Sequence, residues 1–398
     1  MRIQLWSYNY DPEPTGIGPV SRTWAHAMRG RGHEIHVVAA HPHYPAPVWG
    51  SRRRPYREVR DGIEVTRLPL WIGRGSASAR LRQEASFAAW QTAYLPMLGG
   101  VDAVVAVSPC FPALAPAILN RKLRRRPLVL WVQDILPDGA VSTGIMRDGW
   151  AIRAAQRLET ASYRAADGIV VISDRFKENL MGKGVPEAKV ARIYNPATMP
   201  VAAEPRKWNT GEPPRVLVMG NIGHSQALPA VVRAFEHSPA LARLGARLVI
   251  TGTGVAEEEV KASAKTNRVE ILGVVSDDRL AQELGRASIG LVSQRNDHAE
   301  FNMPSKVMNY MASGLPVVAF VGPSSEVAEL VHSSGFGAVV DSGDVDRLGQ
   351  TMSDLLSDHD ALCRQSENCR RFARDLLGND ALARRFEEVI SGGLRSPS

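Results

Sequence analysis

The chain has 398 residues, 44% of them hydrophobic and 22% charged, with a formal net charge of +7. That length holds two domains with full cores, and no window approaches 18 uninterrupted apolar residues, so no membrane-spanning helix is expected. Cys110, Cys363 and Cys369 are too few and too scattered for a disulfide framework or a zinc site, which fits a reducing cytosol.

The charge is uneven: residues 1–199 hold 27 Lys+Arg against 16 Asp+Glu, or +11, and the remainder holds 21 against 25, or −4. The first half is therefore the one expected to face something anionic: membrane headgroups, a lipid diphosphate or nucleic acid. The apolar run Ile3–Trp6 meets Asn9, Asp11 and Pro12 too early for a signal peptide and reads as a first strand. The loop after it, from Tyr8 to Gly18, holds Tyr10, Glu13, Thr15, Gly16 and Gly18, and a helix is expected near Pro19 or Ser21. The two glycines permit close approach to a ligand at a helix N-terminus, but the third glycine of a dinucleotide fingerprint is missing.

Further strands are expected at Ile35–Ala39, Ile63–Leu68, Ala103–Val107, Leu128–Val132, Ile169–Ile172 and Val190–Tyr194. His33, His36, His41 and His43 crowd the second strand. Alternation separates the first two, and no carboxylate or cysteine joins them at ligand spacing, so no metal site is assigned. Arg74, Arg80 and Arg82 with Leu81, Phe87, Trp90, Tyr94 and Leu95 form a basic amphipathic segment. It reads equally as a membrane-surface helix or a domain helix with a core face. Asp134, after the strand Leu128–Val132, is placed for proton or hydroxyl management at a strand's carboxyl end, or for a helix cap. From Asn195 to Pro214 there are five prolines, so 196–214 reads as a linker between a domain 1–195 and a domain 215–374. Residues 375–398 carry a last helical pattern.

In the second half, strands are expected at Val216–Met219, Arg247–Ile250, Val269–Leu272, Ile289–Val292, Pro316–Phe320 and, more weakly, Ala338–Val340. Strand–helix alternation throughout implies parallel sheets covered by helices. Glycine loops follow three strands: Gly220-Asn221-Ile222-Gly223, Gly252-Thr253-Gly254 and Gly273-Val274-Val275. Asp344-Val345-Asp346 looks like a metal-binding pair but fits a helix N-cap better. Between Glu300 and Ala319 the sequence runs loop, helix, buried strand, with Pro304 suited to the first turn and Gly314 to the C-terminal end. Ser305 and Lys306 therefore lie near a helix N-terminus, where N–H groups, a hydroxyl and a cation suit a phosphate. Asn309 lies one turn on, within reach of a sugar hydroxyl.

The run Pro304-Ser305-Lys306-x-x-Asn309-Tyr310-Met311-Ala312-Ser313-Gly314-x-Pro316-Val317-Val318 resembles the donor-binding helix of family-4 retaining glycosyltransferases with the GT-B fold. The Tyr8–Gly18 loop is similar to that of the colanic-acid-type members. The resemblance implies an α/β fold of two doubly wound, Rossmann-like domains facing across a cleft, with the last helix crossing back to the N-terminal domain. It implies a nucleotide-diphospho-sugar donor at Gly16, Gly18, Gly220, Asn221, Gly223, Gly252, Gly254, Val274, Arg295, Glu300, Met303, Pro304, Ser305, Lys306 and Asn309. Lys306 and Asp134 are the expected catalytic residues, and Tyr10, Glu13, Thr15 and Asp134 the expected acceptor contacts. The family's usual glutamate pair is broken, since Phe301 and Asn309 stand at those places with Glu300 one step out of register. The family's cation after the first glycine loop is also missing, with Ser225 and Gln226 there instead. No cofactor or metal is expected. The expected partners are a nucleotide-sugar and a lipid-linked or saccharide acceptor, with no nucleic acid. The expected setting is cytoplasmic, peripheral to the anionic inner face of the cell membrane, in polysaccharide assembly. A natural-product glycosyltransferase with a soluble acceptor and a nucleotide-sugar 2-epimerase are the alternatives.

Overall fold

The computed structural model describes residues 1–14, 16–43, 53–73, 77–108, 110–134, 150–206, 208, 211–295 and 303–392. The chain forms two compact units: Met1–Pro196 joined by the C-terminal helix Asn379–Ile390, and Ala197–Gly378.

The first unit is built on β1 (Arg2–Ser7), β2 (Glu34–Ala40), β3 (Tyr56–Arg60), β4 (Ile63–Leu68), β5 (Ala103–Ser108), β6 (Leu128–Val132), β7 (Gly168–Val171) and β8 (Val190–Arg192). Their order is β3-β4-β2-β1-β5-β6-β7-β8, parallel except for β3, which runs antiparallel to β4. The near-continuous apolar runs of β5, β6 and β7 are buried along their whole length, as a sheet covered on both faces demands. β3 was not expected from the sequence. Its Tyr-Arg-Glu-Val-Arg alternates half-buried and exposed residues, the charged composition of an edge strand.

Trp24 on the helix Ile17–Gly30, Trp131 on β6 and Phe386 on the C-terminal helix meet in the core, with ring centroids 5.0–6.3 Å apart. At the rim of that contact Arg31 donates to Asp380 (2.6 Å) and Glu387 (2.9 Å), and His33 Nε2 lies 2.7 Å from Glu387. The last helix starts at Asn379 rather than near Asp375, because Gly378 adopts an extended ψ of 148° and breaks it from the helical turn before.

The second unit carries β9 (Arg215–Met219), β10 (Arg247–Thr251), β11 (Val269–Gly273), β12 (Ile289–Ser293), β13 (Val317–Val321) and β14 (Gly337–Asp341), all parallel, in the order β11-β10-β9-β12-β13-β14. Strand order reverses between β9 and β12, the place where open α/β sheets form a ligand crevice at their carboxyl ends. Register between these two strands runs only through Ile289↔Val216 and Gly290↔Leu217. Beyond it the Tyr310 hydroxyl takes over, accepting from Met219 N (3.1 Å) and donating to Leu217 O (3.0 Å). Gly290 leaves room for that ring, since a Cβ there would stand 2.6 Å from it.

Residues 197–206, expected as linker, are packed onto the second unit. Ala202 N donates to Ala312 O (2.7 Å). Arg206 donates to the carbonyls of Ser313 (3.1 Å), Leu284 (2.6 Å), Gly285 (2.9 Å) and Ala287, and its burial pushes it down to about 10.

Candidate functional site

The helix Ser305–Ala312 starts after Pro304, whose φ of −66° and ψ of 128° are extended, and no side chain caps this end. Two faces of the helix have separate tasks. Tyr310 points under the sheet at the β9/β12 fork. Lys306, four residues earlier and so on the same side, is buried and donates through Nζ to Gln226 Oε1 at 2.7 Å. Asn309 turns elsewhere: its Oδ1 accepts from Thr198 N (2.8 Å), Met199 N (3.2 Å) and Thr198 Oγ1 (3.2 Å), and its Nδ2 lies 3.1 Å from the same hydroxyl. That explains why an asparagine suits the place. It holds the 197–206 segment, and the sugar-hydroxyl contact expected of it is not carried further.

Burial pushes the Lys306 ammonium from its ordinary 10.5 down to about 8. The group stands beside the glycine loops that end β9 and β10. Gly220 N donates to Thr251 O (2.9 Å), Ile222 N to Thr253 O (3.0 Å) and Gly252 N to Gly273 O (2.8 Å), which ties the three loops together. Gly252 has a φ of +124°, and a Cβ there would come within 1.8 Å of Gly220 O, so only glycine fits. A Cβ at Gly254 would stand 2.8 Å from Asn221 Oδ1, so Asn221 lies against the second loop. Arg295 is exposed and its backbone N–H donates to Ser225 O (2.9 Å), which brings its loop to the end of the first glycine loop. The Val274 side chain is exposed, Met303 and Pro304 are half-buried and Ser305 is exposed. Glu300 and Thr15 lie outside the described residues. Lys306, Gln226, Gly220, Asn221, Gly252 and Gly254 are thus brought together at the switch point.

In the first unit, Gly16 (φ +67°) precedes the helix Ile17–Gly30, and Gly18 lets that helix approach the loop, since a Cβ would stand 2.7 Å from Glu13 O. Tyr10 is a core residue with Arg67 over its ring at 5.7 Å. Glu13 is buried and accepts from Asn9 Nδ2 (2.9 Å) and His43 N (2.8 Å), with His43 Nδ1 at 3.3 Å. Both side chains face the interior, so their expected acceptor contacts are replaced by loop-building ones. Asp134 lies just past the end of β6, after Gln133, which forms a reciprocal amide pair with Asn195 at 2.7 and 2.8 Å. Tyr8 was not singled out from the sequence. Its hydroxyl accepts from Gln83 (2.6 Å) and its ring meets His43 and Phe87 edge-on.

The amphipathic segment is a helix, Ala77–Tyr94, with Ala79, Gln83, Glu84, Phe87, Ala88 and Gln91 buried. Arg80, Leu81, Arg82 and Trp90 are exposed, and Arg82 lies 5.5 Å from the ring of exposed Trp71. The core face of the pattern is present, and its basic and aromatic side chains lie on the exposed side of the helix. Among the described residues no helix is long and apolar enough to cross a membrane, and no group of three His, Cys, Asp or Glu is placed to hold a metal.

Two Rossmann-like units, the second with a buried cation and tied glycine loops at its switch point, are the architecture of the GT-B glycosyltransferases. The glycosyl transferase 4-like domain model matches residues 15–196, and the glycosyl transferases group 1 model matches residues 213–358. The chain is similar to WcaI, a candidate colanic acid biosynthesis glycosyl transferase of Escherichia coli (strain K12). The two are 27% identical over 420 residues that cover 98% of this chain and 100% of that one. It is also 27% identical over 196 residues to a GDP-mannose-dependent alpha-(1-6)-phosphatidylinositol monomannoside mannosyltransferase of Mycobacterium tuberculosis, covering 47% of this chain and 50% of that one. Among solved structures, HepE of Anabaena in complex with UDP superposes with a TM-score of 0.68 at 16% identity, covering 98% of this chain and 100% of that one. The chain is an enzyme and belongs to glycosyltransferase family 4.

Proposed function

We propose that the enzyme moves a sugar from a nucleotide-diphospho-sugar, held by the second unit, to a lipid-linked or saccharide acceptor, with retention of anomeric configuration. The observation that carries this is Lys306, a buried ammonium beside three tied glycine loops and an uncapped helix N-terminus. A fixed cation and backbone N–H groups stabilise the negative charge that gathers on a departing diphosphate. With that charge met by the protein, transfer proceeds without a metal. The departing diphosphate takes the acceptor's proton, and Asp134 positions the acceptor hydroxyl. The positive first half and the exposed Arg80, Leu81, Arg82 and Trp90 suit an acceptor presented at an anionic membrane surface, and the mannosyltransferase relative is named for a lipid acceptor.

The test is a thermal-shift screen with UDP, GDP, dTDP, ADP and CMP, with and without EDTA. A ligand bound only by the folded state raises the melting temperature by mass action. One nucleoside diphosphate should do so equally with EDTA present. No shift with any of them refutes the donor site, and a shift abolished by EDTA refutes metal-independence. Proton NMR of the product from the matching donor then reads the anomeric configuration.

A further inference from the structure

We propose that Gln226 is the positioning residue for Lys306. Its neutral amide carbonyl aims the buried ammonium along the glycine loops and leaves the positive charge uncancelled, so that the diphosphate of a bound nucleotide supplies the counter-charge. This rests on the donor-site reading above.

A buried ammonium has three N–H donors to satisfy and a charge to balance. A carboxylate at position 226 would do both, closing an ion pair and leaving nothing for an incoming anion. A second cation there would repel Lys306 when the site is empty. An amide satisfies one N–H and cancels no charge. Gln226 is built for this. It is buried, its backbone N–H donates to Gly223 O at 3.0 Å, and its backbone carbonyl accepts from Ser293 Oγ on β12 at 2.5 Å. The next residue, Ala227, turns with a φ of +50° into the helix Leu228–His237. The backbone is therefore pinned on both sides, and the side chain spans to Lys306 across the same fork that Tyr310 wedges open. Gly220 keeps the lysine stem's path clear, with a virtual Cβ 3.9 Å from Lys306 Cε. The absence of a second cation after the glycine loop then has a reason: the position is occupied by the group that holds the first. The depressed proton affinity of Lys306 comes from its burial with no counter-charge beside it among the described residues, and an anion reverses it by drawing a proton onto the amine.

The experiment is calorimetric titration of the full chain with whichever of UDP, GDP, dTDP or ADP it binds, from pH 6.5 to 9.5, for wild type, Gln226→Glu, Gln226→Ala and Lys306→Ala. Wild-type affinity should fall about tenfold per pH unit above pH ~8, as the free enzyme's lysine loses its proton. Gln226→Glu should weaken binding at pH 7 by about tenfold or more and flatten the pH dependence, because the new carboxylate holds the lysine charged and paired. Gln226→Ala, which folds if the carboxylate variant does not, should shift the falling limb to lower pH. Gln226→Glu with unchanged affinity and profile overturns the proposal, as does an equal loss at every pH for both Gln226 variants. Wild type that binds no diphosphate, or Lys306→Ala that binds like wild type, overturns the donor-site reading itself and this proposal with it.

Discussion

Replacing Lys306 by methionine should make the protein more stable while abolishing nucleotide binding. Burial holds the ammonium at about 8 against an ordinary 10.5. At 1.36 kcal/mol per pH unit that gap is a penalty of about 3 kcal/mol carried by the folded state near neutral pH. Methionine fills similar space without charge, but it leaves Gln226 Oε1 without its 2.7 Å donor. An unsatisfied buried acceptor costs about 1–2 kcal/mol, so the net gain is about 1–2 kcal/mol. For a unit of this size each kcal/mol moves the melting temperature by about 2–4 °C. The sign of the pH dependence follows from the lowered lysine. Between pH 8 and 10.5 the unfolded chain holds more protons than the folded one, so wild-type stability rises with pH across that window. Below pH 8 the penalty is constant. Paired melts of wild type and Lys306→Met at pH 7 and pH 9.5 should show the variant's advantage at the lower pH and its shrinkage at the higher. A variant no more stable than wild type at pH 7, or an advantage that does not shrink, would refute the description of Lys306 as an uncompensated buried charge.

Tyr310→Phe removes the hydroxyl that accepts from Met219 N and donates to Leu217 O, and should destabilise by about 1–3 kcal/mol, read by urea denaturation. Phe386→Ala empties the contact between Trp24 and Trp131 and should cost about 3–5 kcal/mol, visible as a drop in melting temperature. A loss under 1 kcal/mol would mean that the C-terminal helix is dispensable to the first core. Arg80→Gln with Arg82→Gln should reduce co-flotation with phosphatidylserine vesicles and leave flotation with phosphatidylcholine vesicles unchanged. Equal flotation of variant and wild type on the anionic vesicles would remove the membrane face.

The strands were legible because most are short runs rich in Val, Ile and Leu, and the alternation with helices fixed a parallel, doubly wound class. β3 was hidden, since an edge strand with three charges in five residues has the composition of a solvated loop. The helix Ser305–Ala312 was legible from Pro304 and Gly314, and so was the placing of Lys306 near its start. What its other faces meet was not. Periodicity shows that Asn309 and Tyr310 point different ways, but the partners, Thr198 and the end of β9, are about a hundred residues away in sequence. Gln226 was visible only as a missing cation, because its contact with Lys306 spans 80 positions. Tyr10 and Glu13 were expected as acceptor contacts from the loop's family resemblance, which carries no information on which way each side chain turns, and both turn inward.

The attachment of residues 197–206 to the second unit decides where the polypeptide can be cut or recombined. A fragment begun at Arg215, where the sheet starts, would leave Asn309 Oδ1 and the carbonyls of Leu284, Gly285, Ala287 and Ser313 without their donors. Begun at Ala197 and ended at Gly378, it keeps them all. Chimeras that exchange second units between members of this family therefore have their seams at 196/197 and 378/379, and the C-terminal helix travels with the first unit.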